Sequence, residues 1–356
     1  MKLIHCSDLH LDSRMESNLT FSQARQRNHE ILTTFSRMVS YGKEHGVRAI
    51  LIAGDLFDTE RISGPTADFI LSTMERNPGM DFFYLRGNHD ESRRAFAGRE
   101  LPENLRLFGP SLKTCSYDDV TVSGLELNES NCRSFYGELD LDPEKTNILM
   151  LHGQISTQPG EEQICLPMLR DRHISYLALG HLHSYQTGRL DLTGTYCYCG
   201  CLEGRGFDEC GEKGFVLVDT DAPLSETFVP FASRTLYDLP VDITGLTTVT
   251  EISRAMEAAA AGISSDSLVR FTLTGTYTPD TQKDLSFLRD TLSPSFYFVK
   301  IKDQSTLALP REDYQNDISL KGEFIRLVMA SENDGPERDR IILSGLQALS
   351  GEEITL

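Results

Sequence analysis

The sequence predicts an α/β protein. It comprises a layered domain of parallel strands with helices on its faces, a smaller β-α-β-α-β unit after it, and two C-terminal helices. Three observations carry that reading. Short aliphatic runs alternate with stretches of helical period through the first ninety or so residues. Five of the aliphatic runs stop abruptly on Asp, Asn or His. A second alternation of strand and helix patterns begins after Ser233 and has no such residues at its strand ends.

KLIHC opens the chain as a strand and runs into Asp8 and His10. Residues 22–45 then place Ile31, Leu32, Phe35, Met38 and Val39 on one helical face, closed by Gly46. AILIAGDLFD follows (49–58). Its five apolar residues are too few for a helix and suit a buried strand, with Gly54 ending the run and Asp55 next. Ser63, with Pro65 in the first turn, opens a helix carrying Phe69, Ile70 and Met74, and Asn77-Pro78-Gly79 stops it before the strand FFYL. This order is βαβαβ, so the strands are expected to be parallel.

From Leu105 to Leu127 short alternating segments around Asp118-Asp119 predict a hairpin, and 128–146 is polar and irregular. NILML and YLALG are strands joined by a short helix at 166–172. TYCYCG, GFVLVDT and ETFVPF are expected as three antiparallel strands, closing a first domain at 1–233. A second domain, 234–310, reads as LYDLPVDI, a helix at 249–261, LVRFTLTG, a helix at 281–292 and FYFVKIK. In the segment 311–356, Phe324, Ile325 and Val328 line one helix, and Ile341, Ile342, Leu346 and Leu349 another. Core packing is the plain expectation for those faces and partner docking the sharper one.

Composition sets bounds. Across 356 residues, 34 basic against 53 acidic side chains give a net charge of −19, which argues against a protein that coats nucleic acid with a basic surface. Local basic patches and bound cations do not enter that sum. A single basic residue before Asp8 is no secretory leader, and no uncharged run approaches the roughly 18 residues of a membrane helix. Eight cysteines in that setting read as reduced thiols of a cytoplasmic protein. Cys197, Cys199 and Cys201 alternate on a strand, with Cys210 beyond. Sulfurs two residues apart on one strand lie about 6–7 Å from each other, too far to wrap a tetrahedral ion. Packing is the expectation there, and for Cys6.

The chemistry lies at the strand ends. A carboxylate at the tip of a buried strand is costly unless a cation neutralises it. In open α/β sheets, ligands bind outside the carboxyl ends of the strands. Asp8 and His10, Asp55, Asn88, His152, and His181 and His183 all fall at such ends. Oxygen and imidazole donors without thiolate suit Mn²⁺, Fe²⁺ or Zn²⁺. Asp8-x-His10 and His181-x-His183 each turn two donors to one side of an extended segment. Seven donors exceed the need of one tetrahedral ion, so two are predicted, with Asp55 bridging. Two ions about 3.5–4 Å apart can activate water and clamp an in-line displacement at phosphorus. A lone histidine is more often structural than a ligand. The weight here rests on five strand ends acting together.

D-x-H, G-D-x-x-D, G-N-H-D, an isolated His-Gly after a strand and G-H-x-H, in that order over 1–185, resemble the calcineurin-like metallophosphoesterases. The resemblance implies a two-sheet sandwich flanked by helices. It also implies two metals, one on Asp8, His10, Asp55 and His183, the other on Asp55, Asn88, His152 and His181. His89 matches the family's catalytic histidine that is not a ligand, with Asp90 as its partner. Finer features look like the SbcD-type DNA repair exonucleases: SDLHLDS, GDLFD, GNHDE, EGRGFDE at 203–209, SLKGEF at 319–324, and a cap-like second domain that would position DNA. Those proteins act on DNA ends with Mn²⁺ beside an SMC-like ATPase, SbcC or a relative, and dimerise through helices of the first domain. Some relatives carry His where this chain has Asp58. Arg205, in a glycine-flanked loop, is a candidate phosphate contact.

The leading expectation is therefore a Mn²⁺-dependent DNA exonuclease or endonuclease of DNA repair, with Fe²⁺, Zn²⁺ or Mg²⁺ as other metals. The alternative is a phosphatase or phosphodiesterase acting on a nucleotide or phosphoprotein. A regulatory subunit without catalysis is disfavoured because all seven donors and His89 are present.

Overall fold

The computed structural model describes residues 1–13, 15, 19–58, 62–90, 96, 98–278, 281–308, 314, 317–331 and 335–350. Glu91 of the GNHDE loop and parts of the 311–356 segment lie outside the described residues. The chain forms two compact units, Met1–Leu236 and Tyr237–Leu356.

The first unit opens with β1 (Lys2–Cys6), α1 (Phe21–Glu44), β2 (Val47–Ala53), α2 (Gly64–Glu75), β3 (Asp81–Leu85) and β4 (Leu105–Leu107). The four strands pair in parallel, β1 to β2 to β3 to β4. Both helices start on side-chain caps. Thr20 forms a reciprocal box with Gln23, and Ser63 accepts from the Thr66 amide ahead of Pro65. Then come β5 (Lys113–Ser116), β6 (Val120–Gly124), α3 (Phe135–Glu138), β7 (Thr146–His152), β8 (Gln154–Ser156), β9 (Gln163–Cys165), α4 (Leu166–Leu169), β10 (Tyr176–Gly180), β11 (Gln186–Arg189), β12 (Thr195–Tyr198), β13 (Gly214–Asp219) and β14 (Ser225–Pro230).

Two six-stranded sheets result, ordered β14-β13-β1-β2-β3-β4 and β11-β12-β10-β7-β6-β5. Leu51, Phe83, Ile148, Met150, Ala178 and Val216 fill the space between them. Phe35, Met38, Ile50, Ile70 and Phe82 bury the outer face of the first sheet under α1 and α2. This is the expected sandwich flanked by helices.

Two expected strand pairings need correction. Only β5 and β6 make the hairpin predicted across 105–127, whereas β4 joins the other sheet parallel to β3. TYCY (β12) does not pair with GFVLVD. It runs parallel to β10, with Ala178 opposite Cys197, and its antiparallel neighbour is the polar β11. Local patterns mark a strand but not the distant partner that fixes its direction.

In the second unit, β15 (Leu236–Asp242), α5 (Val249–Ala259), β16 (Leu268–Thr274), β17 (Thr276–Tyr277), α6 (Leu285–Leu292), β18 (Phe298–Asp303) and β19 (Thr306–Leu307) follow the predicted alternation. A sheet ordered β15-β16-β18 buries Val269, Phe271 and Val299 against Ile252, Met256, Leu288 and Leu292 of α5 and α6. The helix expected from 281 begins at Leu285, because Asp284 caps it by accepting from the Phe287 amide. In α7 (Leu320–Met329) and α8 (Gly335–Ser350), Ile325, Val328, Ile342 and Leu346 bury one another. Leu349, expected on that face, is exposed, as are Ile318, Leu320 and Leu327.

Candidate metal centre

The loops after β1 and β2 run side by side. The amides of Asp8, His10 and Leu11 donate to the carbonyls of Gly54, Asp55 and Leu56 at 3.0, 3.0 and 2.9 Å. Asp8, His10, Asp55 and His181 all adopt positive φ, at 50°, 45°, 49° and 107°. That conformation is uncommon outside glycine, though Asp and His tolerate it better than most residues. Glycine is required where chain meets side chain. A Cβ on Gly54 (φ +92°) would lie 2.1 Å from His152 Nδ1, and one on Gly87 2.1 Å from Asp55 Oδ1.

These loops bring all seven predicted donors together. Asp8 and Asp55 are 1% exposed. His10 Nε2 and His183 Nε2 lie 3.2 Å apart, with Asp8 Oδ1 3.8 Å from His183 Nε2. Asn88 Oδ1 is 3.0 Å from His152 Nε2 and 3.3 Å from His181 Nδ1. Asp55 Oδ2 lies between the two groups, 4.0 Å from His10 Nε2 and 3.5 Å from His152 Nε2. Asp8, His10 and His183 converge as one set of potential donors, and Asp8, Asp55 and His152 as another.

The protonation pattern fits cations there. His10 Nδ1 faces Asp58 Oδ1 at 3.2 Å, and His183 Nδ1 faces Glu209 Oε1 at 2.7 Å. An ionised carboxylate accepts and cannot donate, so Glu209 takes the Nδ1 proton of His183, whereas the buried His10 Nδ1, though near Asp58, completes no hydrogen bond. His152 repeats the His183 pattern. Its Nδ1 donates to the Ala53 carbonyl at 2.9 Å, which leaves Nε2 facing oxygen acceptors. Acceptors converging on acceptors beside two buried carboxylates is an arrangement a divalent cation relieves. The surroundings shift the two imidazoles of His181-x-His183 in opposite directions. Burial, and after it His152, lowers the pKa of His181, whereas the Glu209 hydrogen bond raises that of His183. Burial would raise Glu209, but His183 and Arg205 hold it down at about 2.

Around the donors the picture departs from expectation. Asp90 does not reach His89. Its oxygens accept from the amides of Phe57, Leu56 and Gly87 at 2.9, 3.1 and 3.1 Å, which ties the G-N-H loop to the loop after β2. Burial and then Asp55 push its pKa up to about 6. The carboxylate near His89 is Asp58, 3.6 Å from Nδ1, and its own pKa is depressed because His10, Ser13 and Arg205 outweigh its burial. The His89 amide donates to Asp55 Oδ1 at 2.9 Å, and its half-exposed ring stands beside His10. Glu209 was not foreseen. The second acid of G-D-x-x-D and the last acid of EGRGFDE were the signals that could have marked Asp58 and Glu209. Arg205 lies in the centre with Nη1 3.2 Å from Asp58 and Nη2 2.9 Å from Glu209. Cys197, Cys199 and Cys201 are buried free thiols whose pKa values burial raises, as packing residues require.

The profile of the calcineurin-like phosphoesterase family matches residues 1–185 of the 356, a stretch that includes every donor named above. Among curated relatives, an uncharacterized metallophosphoesterase, YhaO, of Bacillus subtilis is 26% identical over 299 residues, 78% of this chain and 72% of that protein. The DNA double-strand break repair protein Mre11 of Sulfurisphaera tokodaii is 28% identical over 207 residues, 53% of this chain and 51% of its own. The protein of the same name from Haloferax volcanii is 28% identical over 229 residues, 61% and 49% of the two chains. The chain thus spans about half the length of these Mre11 relatives. The family hydrolyses phosphoesters with two divalent metals, which is the chemistry that clustered imidazoles and buried carboxylates call for. By the matched span and by its two-sheet architecture, the chain belongs to the calcineurin-like phosphoesterases.

Proposed function

We propose that this chain is a dinuclear-metal phosphodiesterase that cuts DNA, with Mn²⁺ as its metal, working in DNA repair beside an SbcC-like ATPase. The observation that carries the chemistry is the placement of Asp55 Oδ2 between the His10 and His152 imidazoles. Asp8, His10, His183 and Asp55 would hold one ion, and Asp55, Asn88, His152 and His181 the other. When bound, the pair supplies Lewis-acid polarisation of a phosphoryl oxygen and acidifies water. His89 stands outside both sets and offers a proton to the leaving oxygen, its ring steadied by Asp58. Asp90 keeps the Asn88-His89 turn in place through three backbone amides.

DNA as substrate is supported by the repair role in the names of the Mre11 relatives and by the sequence features shared with SbcD-type proteins. The second unit would position DNA, and a homodimer through α1 and α2 is the accompanying assembly. On α7 and just before it, Leu320, Leu327 and Ile318 stay exposed while the opposite face of α7 packs on α8, which suits a helix laid into an apolar groove of the ATPase. Leu320→Asp with Leu327→Asp would abolish co-purification with that ATPase and leave metal-dependent hydrolysis intact.

One observation favours a phosphatase or phosphodiesterase on a nucleotide or phosphoprotein. Glu161 and Glu162 are exposed on the connection between β8 and β9, and the charge of Glu162 reaches His181, which opposes a polyanion. Hydrolysis of single-stranded and hairpin DNA, measured against nucleotides with and without Mn²⁺, separates the two. Turnover of nucleotides with intact DNA would overturn the nuclease reading.

A further inference from the structure

The candidate phosphate contact, Arg205, occupies the wrong place for gripping a substrate. Its side chain is only 17% exposed and both terminal nitrogens are engaged, Nη1 with Asp58 Oδ1 and Nη2 with Glu209 Oε1. Its own amide donates to the other Glu209 oxygen at 2.7 Å. Turning this guanidinium toward a phosphate would strand two partly buried carboxylates, a costly exchange.

The two carboxylates it joins are those that face the imidazoles. Glu209 Oε1 lies 2.7 Å from His183 Nδ1, and Asp58 Oδ1 lies 3.2 Å from His10 Nδ1 and 3.6 Å from His89 Nδ1. One planar fork therefore spans the backing of both histidines of the first metal position and of the proposed acid. Asp58 also needs restraint, since with His10 and His89 it forms a cluster that could itself hold a cation. A neighbouring guanidinium holds its carboxylate beside the two imidazoles.

The loop carrying Arg205 is fixed from behind. Gly204 accepts from buried Arg27 of α1 at 2.9 Å, and the flanking Glu203 accepts from Arg27 at 3.1 Å, from Thr34 at 2.6 Å and from the Ser233 amide at 2.5 Å. The guanidinium is thus delivered to the centre from a rigid base.

We infer that Arg205 is a positioning residue, a brace that holds Asp58 and Glu209 in place and so sets the Nε2 atoms of His10 and His183 for the first metal position. The inference rests on the dinuclear reading of the centre, but not on DNA as the substrate. Guanidinium geometry matters, because a lysine keeps the charge and lacks the two-armed fork.

The test is calorimetric titration of metal-stripped protein with Mn²⁺, paired with steady-state cleavage of bis-p-nitrophenyl phosphate at saturating metal. Arg205→Ala should weaken one of two Mn²⁺ sites by about 10–100-fold, leave the other at its wild-type affinity, and lower kcat with KM unchanged. Arg205→Lys should recover part of the affinity. Glu209→Gln, which keeps shape and removes charge, should weaken the same site and carries the test if Arg205→Ala does not fold. Two wild-type Mn²⁺ affinities in the folded variants, with KM alone raised, would make Arg205 a substrate contact and overturn the inference. A wild-type chain that binds one Mn²⁺ would instead overturn the dinuclear centre. Loss of one site in Arg205→Ala without any DNA cleavage by the wild type would uphold the brace and remove the nuclease reading.

Discussion

Both units leave their strands through tight turns that need positive φ, and they fill those turns differently. In the second unit, the turns after β15 and β16 use Gly245 (φ 80°) and Gly275 (φ 82°), with Asp242 accepting from the Thr244 amide at 2.9 Å. In the first unit, Asp8, His10, Asp55 and His181 occupy that region alongside Gly54 and Gly153. A non-glycine residue held there costs of order 1–3 kcal/mol. Where a turn only has to reverse the chain, glycine serves. Where it must aim a donor inward, the chain carries strain to keep a side chain.

The comparison breaks most completely at Asp55. Asp55→Asn removes the one charge lying between both donor groups and should bring bound metal from two ions to near none by elemental analysis. The same variant sharpens the comparison without metal. A neutral amide avoids the buried charge while its oxygen still accepts from the His89 amide, so metal-free Asp55→Asn should melt above metal-free wild type. Saturating Mn²⁺ should reverse that order, because only the wild type gains binding energy.

His89→Ala comes next, with single-turnover cleavage slowed by about 10²–10⁴-fold and both ions retained on the same preparation. A lost ion would make His89 a ligand. In the second unit the effects should be confined to stability. Gly275→Ala meets both positive φ and a Cβ position 2.0 Å from Asp242 Oδ1. It should destabilise that unit by about 1–3 kcal/mol, read by amide exchange in β16, with metal content unchanged. The smallest effect should come from Lys283→Met. That change removes an ammonium 3.5 Å from the Tyr277 ring and 2.6 Å from Asp303, and should cost about 1 kcal/mol by denaturant unfolding.

The sequence told most about this fold where the signal was local. Asp8, Asp55, Asn88, His152 and His181 each fall within a few residues of the end of an apolar run, so strand and donor could be read in one window. Seven donors could then be assigned to one place from the rule for parallel strand ends alone. The partners behind them could not, because loop paths rather than periodicity decide them. Asp90 adjoins His89 in the chain, yet its carboxylate turns back to Leu56 and Phe57, and Asp58, thirty-one residues earlier, takes the place beside the ring. Glu209 reaches His183 only because Glu203 and Gly204 are anchored on Arg27, a contact across 176 residues. The direction of β12 was illegible for the same reason, since Cys197 finds Ala178 through sheet assembly.

The lacing of the first two loops limits how the chain can change length. Asp8, His10 and Leu11 hang on Gly54, Asp55 and Leu56 as successive rungs, and Leu11 continues as a bridge to Phe57. Deleting one residue between Asp8 and Leu11 slides the later rungs together and turns His10 away from His183. An insertion does the same in the opposite sense. Substitutions along this stretch can be absorbed one at a time, but a change of length cannot. The segments Asp8–Leu11 and Gly54–Phe57 should therefore hold constant length between related chains, while indels gather elsewhere on the surface.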